Sequence, residues 1–170
     1  MNLPLPSTIH EKLLNWFGFP EKETHVQVAT SFENHPHVRT MKLYEIAEDG
    51  SCVILSHNKT LKWRDLQFSP YIAILFINYD FGQLTVEGVA QLKTKENSEI
   101  KRYWEGMPEP IQRIYTSYPK KEIPDSFGVI SVQPLSWEML EINKVDYNTS
   151  IRRKYYRDNG SWKTQELTPV

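Results

Sequence analysis

The longest apolar run in the chain is YIAILFI, Tyr71 to Ile77. It is far too short to span a bilayer and has the length of a buried strand. Its neighbours read the same way. THVQVATSF alternates from Thr24, a turn at Pro36 leads into VRTMKLYEI, and Glu48-Asp49-Gly50 turns the chain into SCVIL. After YIAILFI a turn around Asp80 to Gly82 opens QLTVEGVAQL. Near the end come FGVISV, WEMLEI, IRRKYYR and SWKTQEL, four strand candidates, with Asp158-Asn159-Gly160 a strong hairpin signal. Short strands joined by tight turns predict a mainly β fold, an antiparallel barrel with short peripheral helices. VRTMKLYEI alternates poorly, because Arg39, Lys42, Tyr44 and Glu45 do not share a face. A bulge or a functional surface would produce that.

Helical signals are few. Thr8-Ile9-His10-Glu11 has the form of a capping box, Ile9, Leu13, Trp16 and Phe17 follow at helical spacing, and Gly18 and Pro20 stop the pattern. TLKWRDLQF interrupts the strands before Pro70. KENSEIKRYWEGM ends at Pro108, Pro110 to Tyr118 reads as a second short helix, and Pro119 and Pro124 bracket a loop. Without repeats or a linker, residues 1–170 read as one domain, with an N-terminal helix in 1–20 and a barrel in 24–166.

A net charge of −1 with 20 basic and 21 acidic residues argues against a dedicated nucleic-acid binder, though not against a local pocket for a small anion. The single cysteine, Cys52, cannot form an intrachain disulfide, and the N-terminus lacks a secretory pattern. The expected location is therefore cytoplasmic, with no membrane partner.

Chemistry concentrates in LSHNKTLKW, residues 55–63. Two readings stay open there. In one, Ser56 ends a strand, Asn58 or Thr60 caps a helix and the lysines are solvated. In the other, hydroxyls, Lys62 and the positive end of the helix make a seat for a phosphate.

The order of residues around that stretch resembles the pyridoxamine 5'-phosphate oxidase family, the FMN-binding split β-barrels. Arg39 precedes Ser56-x-x-x-Thr60-x-Lys62, a Pro-initiated apolar strand follows, Gln83 opens the next strand, and Arg152 and Tyr155 lie in a late one. The resemblance runs over roughly 24–169 and rests on order and spacing together, not on any single motif. It implies that Arg39, Thr60 and Lys62 meet the phosphate of FMN, with Thr40, Met41, Leu55 and Ser56 lying along the cofactor. It further implies that Gln83 bonds the flavin ring, in the family usually from the other subunit, and that Arg152 lies near the ring's polar edge. A homodimer with FMN at the interface and a small-molecule substrate is implied too. The flavin supplies the hydride chemistry, so no catalytic side chain and no metal are expected.

The pattern also departs from the family. Leu61 stands where the phosphate run has Arg, and Leu140 where a tryptophan usually lines the flavin. Of the set that holds the substrate, Tyr103 is kept. Tyr44 replaces a Lys, Met107 an Arg, Ile111 a Ser, and Asn148-Thr149-Ser150 an Arg-x-His. Tyr44 and Tyr103 remain the substrate-side candidates, and a substrate other than pyridoxamine phosphate is expected. A flavin-binding sensor without turnover, a flavin reductase or a haem-binding relative are the alternatives on the same barrel.

Other features have plainer readings. His35, His37 and His57 lack a clear further metal ligand, so exposed imidazoles at a turn are expected. Lys101, Arg102 and Arg113 read as a solvated helix face. Arg152-Arg153-Lys154 alternates faces in a strand, which precludes a continuous basic patch. Trp63, Trp104, Trp137 and Trp162 read as core, and Cys52 as buried and inert.

Overall fold

The computed structural model of the protein describes residues 4–118 and 122–169. Among them, nine strands form one antiparallel, curled sheet. Along it lie β2 (His35–Leu43), β1 (Thr24–Phe32), β5 (Tyr71–Asn78), β6 (Gly82–Lys93), β7 (Phe127–Glu141), β4 (Cys52–His57) and β3 (Glu45–Ile46), in that spatial order. β7 is the spine. β6 pairs along its whole length on one edge. On the other edge β4 takes the half from Phe127 to Val132, and β8 (Ile151–Asp158) takes the half from Ser136 to Glu141. β8 turns through Asn159-Gly160, both at positive φ, into β9 (Ser161–Leu167). The division of one edge between β4 and β8 gives the split of the barrel.

Register sorts side chains between two faces. One rung runs Arg39, Val28, Ile74, Val86, Trp137, Tyr155 across β2, β1, β5, β6, β7 and β8. Val28, Ile74, Val86 and Trp137 on it are fully buried, so this is the inner face. The adjacent rung, Thr40, Gln27, Leu75, Thr85, Glu138, Lys154, faces outward and is half-buried apart from exposed Thr40. Helix α1 (Ser7–Phe17) adds Ile9, Leu13 and Trp16 to the main core, and α2 (Leu61–Phe68) adds Trp63 and Leu66. On the far side of β4 and β7, α3 (Ile100–Gly106) packs Ile100, Tyr103 and Trp104 against Val53, Phe127 and Val129. That half of the sheet is covered on both faces, hence the unbroken apolar runs there.

Several sequence expectations are corrected. FGVISV and WEMLEI are one strand. Pro134 lies inside it, where Gly88 faces Pro134 and Glu87 faces Ser136, so Leu135 is an extra residue and the bulge absorbs the missing N–H. Pro36 is not the turn. Glu33 and Asn34, at φ 48° and 64°, make the turn, and Pro36 sits in β2, an edge strand with a free side. VRTMKLYEI breaks at Tyr44. Up to Leu43 it pairs with β1, and from Glu45 it pairs with β4, so no single alternation can hold. α1 starts at Ser7 after Pro6 and forms no side-chain cap, so Thr8 is inside the helix rather than its cap. Gly18 ends it as expected, at φ 66°. Only Ile100–Gly106 of the predicted KENSEIKRYWEGM helix is helical. The next helix, α4, is the single turn Glu109–Gln112. Pro119 lies outside the described residues.

Candidate functional site

The loop between β4 and α2 is pinned at both ends. Ser56 is buried, and its hydroxyl donates to the His57 carbonyl at 3.2 Å. The Asn58 N–H donates to the Ser126 carbonyl at 2.9 Å and its side chain to that of Asp125, which ties the loop to the start of β7. Thr60 takes the cap position with extended backbone, φ −94° and ψ 160°. Its hydroxyl does not cap. It donates backward to the His57 carbonyl at 2.9 Å and accepts from Lys62 Nζ at 3.2 Å. The start of α2 is thus left without a side-chain acceptor for its N–H groups. Trp63 holds α2 down: it is buried, and its ring lies against Gly128, where an added Cβ would stand 2.5 Å from Cη2.

Between this loop and β2 lies a groove of about 730 Å³, lined by His37, Arg39, Lys59, Thr60, Leu61 and Lys62 among others. The Arg39 guanidinium donates to Thr30 Oγ1 at 2.7 Å and to the Val28 carbonyl at 3.3 Å, with Asp65 Oδ2 3.6 Å away. Partial burial lowers its pKa, against the pull of Asp65. Lys62 forms no ion pair among the described residues. Burial lowers its pKa, and the nearby Arg39 lowers it further. Two cations therefore face one groove and repel each other.

The carboxylate below them is Asp65, fully buried on α2. Its Oδ2 accepts from Thr30 Oγ1 at 2.8 Å and lies 2.8 Å from His37 Nδ1, and Arg64 approaches Oδ1 at 3.3 Å. Burial alone would raise its pKa, but the hydrogen bonds from His37, Thr30 and Arg64 outweigh that and hold it below the ordinary value. Asp65, Thr30 and His37 were not among the residues assigned to the site from sequence. The one signal for Asp65 is a carboxylate between Trp63 and Leu66, both buried. His37 is in a strand, not a turn, and its imidazole is engaged with Asp65 rather than free in solvent.

The remaining ring-side candidates lie elsewhere. Gln83, Leu140 and Arg152 form a single rung across β6, β7 and β8, with the Arg152 Nε donating to Glu138 Oε1 at 2.7 Å. That rung faces outward, on the opposite side of the sheet from Arg39. Three strand spacings and three residues separate Arg39 from Gln83, about 17 Å along the sheet. One chain does not bring the two groups together. Thr40 also faces outward, bonding Gln27 at 3.1 Å, while Met41 packs on the main core and Leu55 on the second.

Tyr44 and Tyr103 do meet, edge to face at 5.7 Å between ring centres. The Tyr103 hydroxyl donates to Glu45 Oε1 at 3.1 Å and accepts from Arg102 at 2.6 Å. Burial and the Glu45 charge push its pKa up to about 12. Tyr44 is raised for the same two reasons. Met107 is buried and Ile111 exposed. Residues 148–150 are spent on their own loop: the Asn148 N–H donates to Asp146 at 3.0 Å, and Ser150 Oγ accepts from the Asn143 N–H at 3.1 Å. Arg102 pairs with Glu45, Lys101 with Glu105 and Arg113 with Glu109. Trp63, Trp104 and Trp137 are core, and Cys52 is buried with its pKa raised to about 12 by burial. Trp162 is half-buried and donates to the Pro4 carbonyl at 2.7 Å. No three His, Cys, Asp or Glu side chains converge as metal ligands among the described residues, and no helix there is long and apolar enough to cross a membrane.

The family model for pyridoxamine 5'-phosphate oxidase matches residues 15–141. Among solved structures, a pyridoxamine 5'-phosphate oxidase-related, FMN binding protein from Nostoc punctiforme superposes with a TM-score of 0.79 at 18% identity, over 98% of this chain and 97% of that one. PhzG from Burkholderia lata, in complex with tetrahydrophenazine-1-carboxylic acid, gives 0.79 at 19% over 96% and 92%. General stress protein 26 from Bacillus anthracis gives 0.57 at 17% over 76% and 91%. At such identities the likeness is one of fold. No curated protein matches the sequence.

Proposed function

The chain belongs to the pyridoxamine 5'-phosphate oxidase family, and on that premise we propose that it binds FMN between two copies of itself and uses it to oxidise or reduce a small molecule. The observation that carries the proposal is the pair Arg39 and Lys62, facing one groove beside the Thr60 hydroxyl with no anion of the chain on Lys62. A phosphate monoester dianion has the charge and the acceptor oxygens to satisfy both cations. Gln83, Leu140 and Arg152 supply a donor, an apolar contact and a cation on one rung, which suits the polar edge and flat face of an isoalloxazine ring. The two groups occupy opposite faces of one sheet, so a ligand that touches both needs Arg39 and Lys62 from one chain and the rung from another. That requirement supports a homodimer.

Bound FMN would supply the hydride chemistry, with oxygen or a reduced nicotinamide closing the cycle. The chain's own residues would hold the phosphate, cover the ring with Leu140 and present Arg152 to its edge. Pyridoxamine phosphate fits poorly as substrate. Tyr103 is tied to Glu45 and Arg102, Met107 carries no charge, and residues 148–150 bond to Asn143 and Asp146 of their own loop. The same commitments favour a second reading, a protein that holds flavin without turning it over.

The test is a visible absorption spectrum of the purified protein, before and after addition of FMN and desalting. Retained oxidised-flavin bands support the proposal; a protein left colourless after FMN addition overturns it. Oxidation of NADH or NADPH by the holoprotein faster than by free FMN then separates the enzyme from the sensor.

A further inference from the structure

His37 lies in the same groove as Arg39 and Lys62, and nothing in the family pattern that pointed to the groove involves it. Its Nδ1 is 2.8 Å from the buried Asp65. A carboxylate only accepts, so Nδ1 carries a hydrogen and the tautomer is set. The other nitrogen, Nε2, has no hydrogen-bond partner among the described residues. With Nδ1–H committed, a neutral ring offers Nε2 as an acceptor, which repels a dianion. Only the imidazolium offers a donor there. The charged groups around the ring are Arg39 on its own strand, Asp65, Arg64 and Lys62 on α2, and Lys59 in the preceding loop. The next residue on its face of β2 is His35, which bonds the Glu33 carbonyl. Leu61, at the position where the family has Arg, is exposed and offers no donor.

Resting on the reading of the groove as a phosphate seat, we infer that His37, oriented by Asp65, replaces the donor missing at Leu61 as the imidazolium, taking its proton from solvent where the free ring lacks one. Phosphate binding is then coupled to proton uptake. Asp65 is a positioning residue: it sets the His37 tautomer and holds Thr30, the acceptor that fixes the Arg39 guanidinium.

The experiment is calorimetric titration of the protein with FMN and with riboflavin at pH 8, in two buffers of different ionisation heat. At that pH the FMN phosphate, with its second pKa near ~6, is already a dianion and releases nothing. Wild-type protein is expected to take up a proton with FMN, up to one per site, and none with riboflavin. His37→Gln, on a partly exposed ring of an edge strand, should fold. It should abolish the uptake and weaken FMN about tenfold, the scale of one charge-assisted hydrogen bond, while riboflavin affinity stays unchanged. FMN binding without uptake, or uptake that survives His37→Gln and so belongs to Lys62, overturns the inference and leaves the flavin reading standing. A wild-type protein that binds no FMN overturns both.

Discussion

Lys62 makes its bond to Thr60 Oγ1 within the chain and has no carboxylate partner among the described residues. The cost of its partial burial is therefore offset by no ion pair among the described residues. Lys62→Ala should relieve that cost in the free protein and remove a charge-assisted contact in the bound one, so FMN affinity should fall about tenfold to a hundredfold. Flavin-fluorescence titration reads this directly; unchanged affinity would remove Lys62 from the site. Asp65 carries a different risk. Its folded-state pKa lies below the ordinary value of 3.8, so the unfolded chain binds its proton first as pH falls. The stability it contributes is complete above the unfolded value and is lost as pH drops through the lower folded value. Unfolding free energy should thus fall below about pH 4 in the wild type, and Asp65→Asn should flatten that fall. Asp65→Ala should cost about 3 kcal/mol in denaturant unfolding, the low end for a broken buried pair, because Arg39 and Arg64 remain partly in water.

Helix α2 is eight residues long and carries Lys62 at its start and Asp65 in its middle. A helix this short is not stable by itself, so its place depends on Trp63 and Leu66 in the core. The ring of Trp63 lies over Gly128, and Gly128 pairs with Ser56 across β4 and β7. A methyl group at Gly128 would stand 2.5 Å and 2.7 Å from Trp63 ring carbons. Gly128→Ala should therefore lever the helix away and lose about 1–3 kcal/mol of stability by overpacking. Lys62 and Asp65 move with the helix, so FMN affinity should fall as well, although Gly128 touches no ligand. Retained affinity in a destabilised variant would show that the cradle does not depend on this anchor.

At the scale of the molecule, the outward rungs of β1, β5, β6, β7 and β8 mix half-buried Leu75, Thr85 and Leu140 with Gln83 and Arg152. That is the face through which a second copy would complete the flavin site. The protein should therefore elute at twice its 20.0 kDa mass. Leu75→Arg, which places a charge on that face without entering the core, should yield folded monomers that no longer retain flavin. Light scattering with the absorption spectrum tests both at once; a monomer that keeps its flavin would refute the shared site. With pyridoxine 5'-phosphate, kcat/KM should lie far below that of authentic oxidases, for want of substrate-side cations.

What the sequence determined by itself was local. Period-two alternation and turn residues marked nearly every strand, because they depend on backbone preferences within a few positions. Thr60 and Lys62, which line one groove, could be read together because they are close along the chain. Boundaries set by distant partners were missed. Pro134 looked like a strand end until the bulge opposite Gly88 absorbed it, and Tyr44 looked like strand until the pairing changed hands beside it. The Asp65 network joins β1, β2 and α2, whose members lie up to 35 residues apart. No spacing announces such a meeting, because it is made by the pairing of Thr30 with His37 across β1 and β2 and the packing of α2 against β1. The register of the strand pairing put Arg39 inside and Gln83 outside. That fact, decided only by tertiary structure, is why the proposed flavin site calls for a second chain.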